Sequence, residues 1–471
     1  MSETLDAIVV GAGSAGLAAV REIGKRTDRF LLVNDGPYGT TCARVGCMPS
    51  KVLIEAANAF HKREIFDTMG IRGGAGLSVD LPAVLARVRA LRDDFVAGTL
   101  KLTDRLGDRS VAGRAKLRGP GQVEVAGREY RARSIVLATG SSPVVPKPWR
   151  AFGDRILTTD TLFEQQTLPG RIAVVGLGAI GVEIAQALSR LGVQVWGFDA
   201  AERLAGVADP KVEAVLREAL GGEFRIRTGV AVELAEAAGG IEVKAGDERV
   251  VVDKVLAAVG RRPNLAGLGL ETLGVKLDER GMPPVDPSTM RIGDLPVFLA
   301  GDANGDRALL HEAADEGHIA GLNAVAEEPL CFQRRTPLGV VFCAPNLATV
   351  GLRFDRFDAA TMIVGEADFR RQSRARMTGR DRGLARVYAD RESGRLLGAT
   401  MCVPEGEHMA HLLALAVGQG LTVADLLRMP VYHPVLEEGL RGAFRELAKQ
   451  LPGGGESDLA TCEGFQAEAL D

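Results

Sequence analysis

Ile8-Val9-Val10-Gly11-Ala12-Gly13-Ser14-Ala15-Gly16 is a short apolar strand that runs into G-x-G-x-x-G and then into a helical pattern. Glycines at these positions allow a tight turn and close backbone approach to a pyrophosphate. The helix N-terminus behind them supplies free N–H groups and positive potential. One such turn is weak evidence, because a Gly-rich turn also serves purely structural ends. This chain has a second. Ile172-Ala173-Val174-Val175-Gly176-Leu177-Gly178-Ala179-Ile180-Gly181 repeats strand, turn and helix, and the next strand, Val193-Gln194-Val195-Trp196-Gly197-Phe198, ends in Asp199. An acidic side chain about 20 residues past the glycines is placed to accept hydrogen bonds from an adenosine ribose diol. Two complete βαβ contexts predict a chain that holds two dinucleotides.

Outward from the first turn comes Thr41-Cys42-Ala43-Arg44-Val45-Gly46-Cys47-Met48-Pro49-Ser50-Lys51. Two cysteines on the opening turn of a helix can close a small, strained ring. A strained disulfide is easily reduced, and a helix N-terminus lowers thiol pKa. The pair is therefore the predicted redox centre, against the plainer reading of two unrelated buried cysteines. Cys331, Cys343, Cys402 and Cys462 lack such a context and are expected to stay reduced. Six cysteines in a chain this long do not make a secreted disulfide framework. Zinc is a weak alternative, because no C-x-x-C or paired histidine accompanies Cys42 and Cys47, and no metal is expected.

At 471 residues, a prior of ~150 per domain gives about three domains. Apolar residues at 46% and charged residues at 25% suit a water-soluble chain with large cores. The net charge is −4, and no basic block stands out, so a nucleic-acid role has little support. No apolar run approaches ~18 residues, so no membrane span is expected. The acidic start, Met1 to Asp6, enters the first strand at once and does not read as a signal peptide. The expected compartment is the cytoplasm.

Along the chain, residues 81 to 100 carry Val84, Leu85, Val88, Leu91 and Phe95 at helical intervals, with Pro82 in the first turn. Buried strands ending in small-residue turns are predicted at Ser134 to Ser141, closing at Gly140, and at Val255 to Ala258, closing at Gly260. A third runs from Val297 to Ala300 before Gly301-Asp302. A helix is expected from about 311 to 326. Beyond it, a mixture of strands such as 384–388 and helices such as 408–418 suits an α+β domain. Residues 451–471 read as a flexible acidic tail.

Taken together, these motifs resemble the FAD-dependent pyridine nucleotide–disulfide oxidoreductases, most closely the branch acting on dihydrolipoamide. The resemblance runs from Ile8 to about Leu451, with five separated motifs in the family's order. It implies an α/β fold with two Rossmann-like dinucleotide-binding domains plus a C-terminal α+β dimerisation domain. The expected boundaries are 1–150 for the first part of an FAD-binding domain, 151–265 for NAD binding, 266–332 for the second FAD part and 333–450 for the interface.

The resemblance also implies roles. Gly11, Gly13 and Gly16 would cradle the FAD pyrophosphate, Asp302 would bond its ribityl or pyrophosphate region, and Ala115 would pack against adenine. Gly140 and Gly260 belong to the cofactor-binding turns, and Gly176, Gly178, Gly181 and Asp199 to the NAD site. Lys51 and Glu183 match an ion pair beside the flavin. His433 of Val431-Tyr432-His433-Pro434 would be the base and Glu438 its orienting partner. The pair would reach the disulfide of a second subunit, making a homodimer. Cys47 would lie nearest the flavin, and Cys42 would exchange with the substrate.

The chain departs from the family pattern in places. Asn34, with Asp35 next, stands where an acidic residue usually takes the FAD ribose. Ala43-Arg44 replaces the usual pair after the first cysteine, so Arg44 either adds charge to the thiols or is a solvated helix charge. Val435 replaces the Thr that often follows His-Pro. The expected activity is two-electron transfer between NAD(H) and a dithiol–disulfide substrate, with dihydrolipoamide foremost and a lipoyl-bearing protein as a candidate carrier. The alternatives are an NAD(P)H-dependent reductase of another disulfide or a metal ion, and a non-catalytic FAD-binding subunit.

Overall fold

The structure is a computed structural model and describes residues 4–452. Of the expected acidic tail, residues 453–471, with Cys462, lie outside the described residues. The chain divides into two compact units, each assembled from separated segments. The first takes the chain up to Ala56, then Asp80–Leu168 and Leu256–Arg334. The second takes Ala57–Val79, Pro169–Val255 and the chain from Arg335 onward.

The first unit is built on a parallel sheet. Strands Leu5–Val10, Phe30–Asn34, Arg128–Leu137 and Val297–Leu299 are rich in Val, Ile and Leu and are buried on both faces where they pair, as a helix-covered parallel sheet requires. Their register aligns the strand ends: Val10 pairs with Val33 and Leu137, and Leu299 pairs with Leu137. Gly11, Asn34, Gly140 and Gly301 therefore emerge from one edge, the carboxyl end of the sheet, where open α/β sheets bind ligands. Helices Ser14–Ile23 and Leu310–Ala324 pack in close contact. A Cβ added to Gly317 would lie 2.0 Å from the Ala15 carbonyl oxygen, so only glycine permits that approach.

The predicted helix over residues 81–100 runs from Leu81 to Asp104, four residues further. Asp80 caps it through the Ala83 N–H at 3.0 Å, and Pro82 lies in its first turn. Leu85 and Val88 are buried, while Val84, Leu91 and Phe95 are half-buried.

In the second unit, parallel strands Arg171–Val175, Gln194–Phe198 and Arg225–Arg227 end in register at Val175, Phe198 and Arg227. Gly176 and Asp199 follow directly. An antiparallel five-stranded sheet lies further along the chain, ordered Leu338–Val341, Asn346–Gly351, Leu396–Val403, Leu384–Asp390, Met362–Asp368. Helices Gly406–Gly418 and Glu438–Ala448 cover it around Phe369, Leu413, Phe444 and Leu447. This is the α+β part. Among the described residues no helix is long and apolar enough to cross a membrane.

Candidate active site

Cys42 and Cys47 do not share one helical turn. Cys42 lies in a five-residue helix, Thr41–Val45, capped by the Thr40 hydroxyl through the Ala43 N–H at 3.2 Å. Cys47 opens the next helix, Cys47–His61. Gly46 breaks the path between them at φ −118°, ψ −118°. A Cβ on Gly46 would press on the Thr41 carbonyl oxygen at 3.0 Å and on the Cys42 Cα at 3.1 Å, so glycine lets the two helices meet.

Both cysteines are free thiols, Cys42 half-buried and Cys47 exposed. The expected lowering of thiol pKa is not what Cys42 shows. Its hydrogen bond to Cys47 pushes it well above the usual thiol range, burial adds to this, and the charge of Lys51 opposes it. Two adjacent thiols share their protons, and once one sulfur is charged the other holds on. Arg44 is half-buried, with its stem beside Gly39.

The first Gly-rich turn is built as predicted. Gly11 has φ +107°, and a Cβ there would lie 2.2 Å from the Ala138 carbonyl oxygen. A Cβ on Gly16 would lie 1.8 Å from the Gly11 carbonyl oxygen. Gly13, at the N-cap of helix Ser14–Ile23, faces open space. Beside the turn is a cavity of about 580 Å³ whose lining includes Gly11, Asn34, Asp35, Ala115 and Thr139. Arg114, Lys147, Arg150 and Arg262 add four cations to its wall. The Thr139 hydroxyl is buried without a hydrogen-bond partner among the described residues. Open backbone at a helix start, surrounding cations and an orphaned hydroxyl fit an anionic dinucleotide.

Asn34, one of the departures from the family pattern, ties the first turn to the next strand. Its Oδ1 accepts the Ala12 N–H at 3.0 Å, and its Nδ2 donates to the Gly36 carbonyl. The second turn carries the same bond at the same spacing: Asp199 Oδ2 accepts the Leu177 N–H at 2.5 Å, 22 residues apart in both cases. Asp199 Oδ1 also accepts the Ala201 N–H at 2.8 Å. Gly176 has φ +95°. Gly178 caps helix Ala179–Arg190 and faces open space, and Gly181 is buried in that helix. Arg203, the cation nearest in sequence to Asp199, is engaged with the Ala208 carbonyl at 2.8 Å.

Asp302 lies in the turn Gly301–Asn304, where its Oδ2 accepts the Ser141 hydroxyl at 2.7 Å. Arg261 Nε donates to that same hydroxyl at 2.8 Å. Gly140 and Gly260 have φ +67° and +107°. The Gly140 carbonyl accepts the Asn264 N–H, and the Gly260 carbonyl accepts the Val144 N–H. Lys51 is half-buried on helix Cys47–His61. Glu183 is buried on helix Ala179–Arg190, and its Oε1 accepts the Phe342 N–H at 2.8 Å. One turn on, Gln186 pairs with Ala344 in both directions, each bond 2.8 Å.

His433 and Glu438 are together, with Nδ1 2.9 Å from Oε1, and Glu438 Oε2 accepts the Val435 N–H at 3.2 Å. The His433 bond holds the Glu438 carboxyl below its usual range, with the Val435 N–H and the Arg441 charge assisting. A carboxylate only accepts hydrogen bonds, so Nδ1 is the donor here and Nε2 is the ring nitrogen left to exchange a proton. The imidazole is exposed.

Comparison with known proteins places the chain in a family. Residues 5–317 match the family model described as pyridine nucleotide-disulphide oxidoreductase, and residues 338–444 match its dimerisation domain. The chain belongs to the pyridine nucleotide–disulphide oxidoreductase family. This oxidoreductase is 34% identical to a dihydrolipoyl dehydrogenase of Thermus scotoductus, over 95% of this chain and 98% of that one. It is 32% identical to a dihydrolipoyl dehydrogenase of Haloferax volcanii, over 93% and 94%. Among solved structures it is similar to LpdA from Mycobacterium tuberculosis, with a TM-score of 0.83 at 26% identity, covering 94% of this chain and 99% of that one. The matched dimerisation domain supports a homodimer.

Sequence reasoning passed over the residues that support the Asp302 turn. Glu316 is fully buried on helix Leu310–Ala324, and its Oε2 accepts both the Gly301 N–H and Asn304 Nδ2 at 2.7 Å. Arg334 bridges Glu316 and Glu312 at 2.9 and 2.5 Å. Glu316 recurs on the face of Ala313 and Ala320, where an apolar residue was due. That break in the periodicity was the available signal.

Proposed function

We propose that this oxidoreductase passes two electrons between NAD(H) and a dithiol–disulfide couple, with dihydrolipoamide as the dithiol. In the oxidative direction, dithiol and NAD⁺ give disulfide, NADH and one proton. The observation that supports this most directly is the meeting of Cys42 and Cys47 across Gly46, directly after a dinucleotide turn. The relatives named dihydrolipoyl dehydrogenase, aligned over almost the whole chain, support the substrate class.

In this reading residues 1–150 and 266–332 hold FAD, 151–265 hold NAD, and 333–450 form the subunit interface. FAD, when bound, supplies hydride exchange with nicotinamide and electron exchange with Cys47. The Gly11–Gly16 turn and the cations around the 580 Å³ cavity hold its pyrophosphate and adenosine. Asp302, fixed by Ser141, bonds its polar chain. Asp199 takes the ribose of NAD.

Cys42 is the thiol that exchanges with substrate. Its raised pKa means that it needs a base, and His433 Nε2 supplies one from the second subunit. Glu438 keeps the imidazole in the tautomer that can accept. Delivery by a lipoyl-bearing protein belongs to the same proposal. Steady-state assays with lipoamide, glutathione disulfide and small aromatic disulfides test it. The reading expects NADH-dependent reduction of lipoamide to dominate, and fails if another disulfide gives the higher kcat/KM.

A further inference from the structure

The net charge of −4 conceals a local concentration of the opposite sign. Residues 370–382, Arg-Arg-Gln-Ser-Arg-Ala-Arg-Met-Thr-Gly-Arg-Asp-Arg, hold six arginines against one aspartate. The expectation that no basic block stands out does not hold here. All six arginines are exposed. Arg370 is paired with Asp368 at 2.6 Å and Arg380 with Glu405 at 2.7 Å. Arg374, Arg376 and Arg382 have no carboxylate partner among the described residues.

This segment is fastened to the loop that carries the base. Gln372, buried between the arginines, donates from Nε2 to the Val435 carbonyl at 2.6 Å, two residues past His433. The Phe369 ring lies so close to Gly439 that a Cβ there would meet it at 2.5 Å. Arg441, whose charge acts on Glu438, adds another cation on the same helix. Met377 among the arginines and Tyr432 beside His433 are both exposed. A substrate dithiol must come to His433, so whatever carries it meets this charged rim.

We propose that the arginine segment 370–382 is the docking surface for the acidic face of a small protein domain that carries the dithiol on a flexible arm. The proposal rests on the dithiol reading above and adds the partner's chemistry. Exposed like charges on a rim raise the encounter rate with an opposite surface more than they tighten the final complex. The arginines would thus act on a protein-borne dithiol and leave a small neutral dithiol almost untouched. Residues 453–471 are a competing occupant, with five carboxylates and no cation.

The test compares two probes on the full-length dimer with FAD bound: free dihydrolipoamide, and a recombinant acidic lipoyl domain in its reduced form. Raising salt from roughly 0.05 M to 0.5 M should lower kcat/KM for the domain about tenfold or more and change that for free dihydrolipoamide less than about twofold. Arg374→Glu/Arg376→Glu/Arg382→Glu should lower kcat/KM for the domain by about tenfold at low salt, with free dihydrolipoamide unchanged. The matching Arg→Lys triple should retain most of the wild-type value.

Equal loss with both probes, or conversion of the variant to a monomer, would assign the arginines to the subunit interface and overturn the proposal. Absence of a salt effect on the wild type would also overturn it, whatever the variant's folding. If the wild type showed no salt effect and a chain ending at residue 452 gained one, the tail would be the occupant. A transfer of the salt effect to a short oligonucleotide, with none on the domain, would make the patch a nucleic-acid site. Failure of the wild type to oxidise either probe would remove the dithiol reading itself, and the docking surface with it.

Discussion

His433 and Glu438 are joined by a 2.9 Å contact between Nδ1 and Oε1, five residues apart, on the loop that leads into helix Glu438–Ala448. Glu438 is tied down a second time by the Val435 N–H. The loop thus presents Nε2 outward in a fixed orientation, as a proton acceptor requires. His433→Ala is expected to lower dithiol turnover by about 10²–10⁴-fold, the usual range for a positioned acid–base group. Reduction of bound FAD by NADH should stay near wild type. Stopped-flow measurement of the two half-reactions checks this, and equal loss in both would mean a defect of folding or assembly.

Glu438 also gives a pH expectation. Its carboxyl is held below the usual carboxylate range, first by the His433 hydrogen bond. A depressed pKa means that the contact is fully present above the ordinary carboxylate value of about 4.3 and is lost as pH falls through the lowered one. The orientation of His433 by Glu438 should therefore persist through mildly acidic conditions. Glu438→Gln should lower kcat by a similar factor across about pH 5.5–8, the range where the wild-type carboxylate stays charged. A deficit confined to the acidic end of that range would show that Glu438 titrates there.

Asp199 decides nicotinamide choice in this account. Its carboxylate sits on the Leu177 and Ala201 N–H groups at the end of strand Gln194–Phe198, and a 2′-phosphate there would meet a like charge. Ala200 and Ala201 follow, and Arg203 is turned onto the Ala208 carbonyl. NADH should be preferred over NADPH. Asp199→Ala should lower kcat/KM for NADH at least about tenfold, the cost of roughly 1.4 kcal/mol of lost binding. A wild-type preference for NADPH would remove this assignment and leave the disulfide chemistry standing.

Glu316 supports the Asp302 turn from below. Replacing it with Ala leaves Arg334 facing Glu312 alone and the Gly301 N–H without its partner. Arg334 keeps Glu312, so the main cost is the unsatisfied Gly301 N–H, about 1–3 kcal/mol. Glu316→Gln keeps the acceptor for Gly301 and should cost less. Thermal unfolding of both variants, with FAD retention read from the visible spectrum, measures this. Identical behaviour of Ala and Gln would contradict a supporting role through Gly301.

Much of this was legible in the residues. Val-rich strands, glycines that only a tight turn requires, and a carboxylate or amide at the next strand end identified both nucleotide turns. Asn34 and Asp199 each hold their own turn through the same backbone bond. Asp80 and Pro82 marked the long helix correctly because capping is local chemistry. What stayed hidden depends on distant partners. Ser141 meets Asp302 across 161 residues and Arg261 across 120, and neither neighbourhood announces the other. The thiols were misjudged because Gly46 divides one expected helix into two, and because their mutual hydrogen bond outweighs the effect of a helix start on Cys42. The net charge of −4 averages over the whole chain and hides the arginine segment.

The central claim is that Cys42 and Cys47 take up the two electrons. Counting titratable thiols in the denatured chain before and after anaerobic reduction of the air-oxidised enzyme by NADH tests it most directly. The account predicts two additional thiols per chain, and none in Cys42→Ser or Cys47→Ser. An unchanged thiol count in the wild type, with FAD reduced, would contradict it.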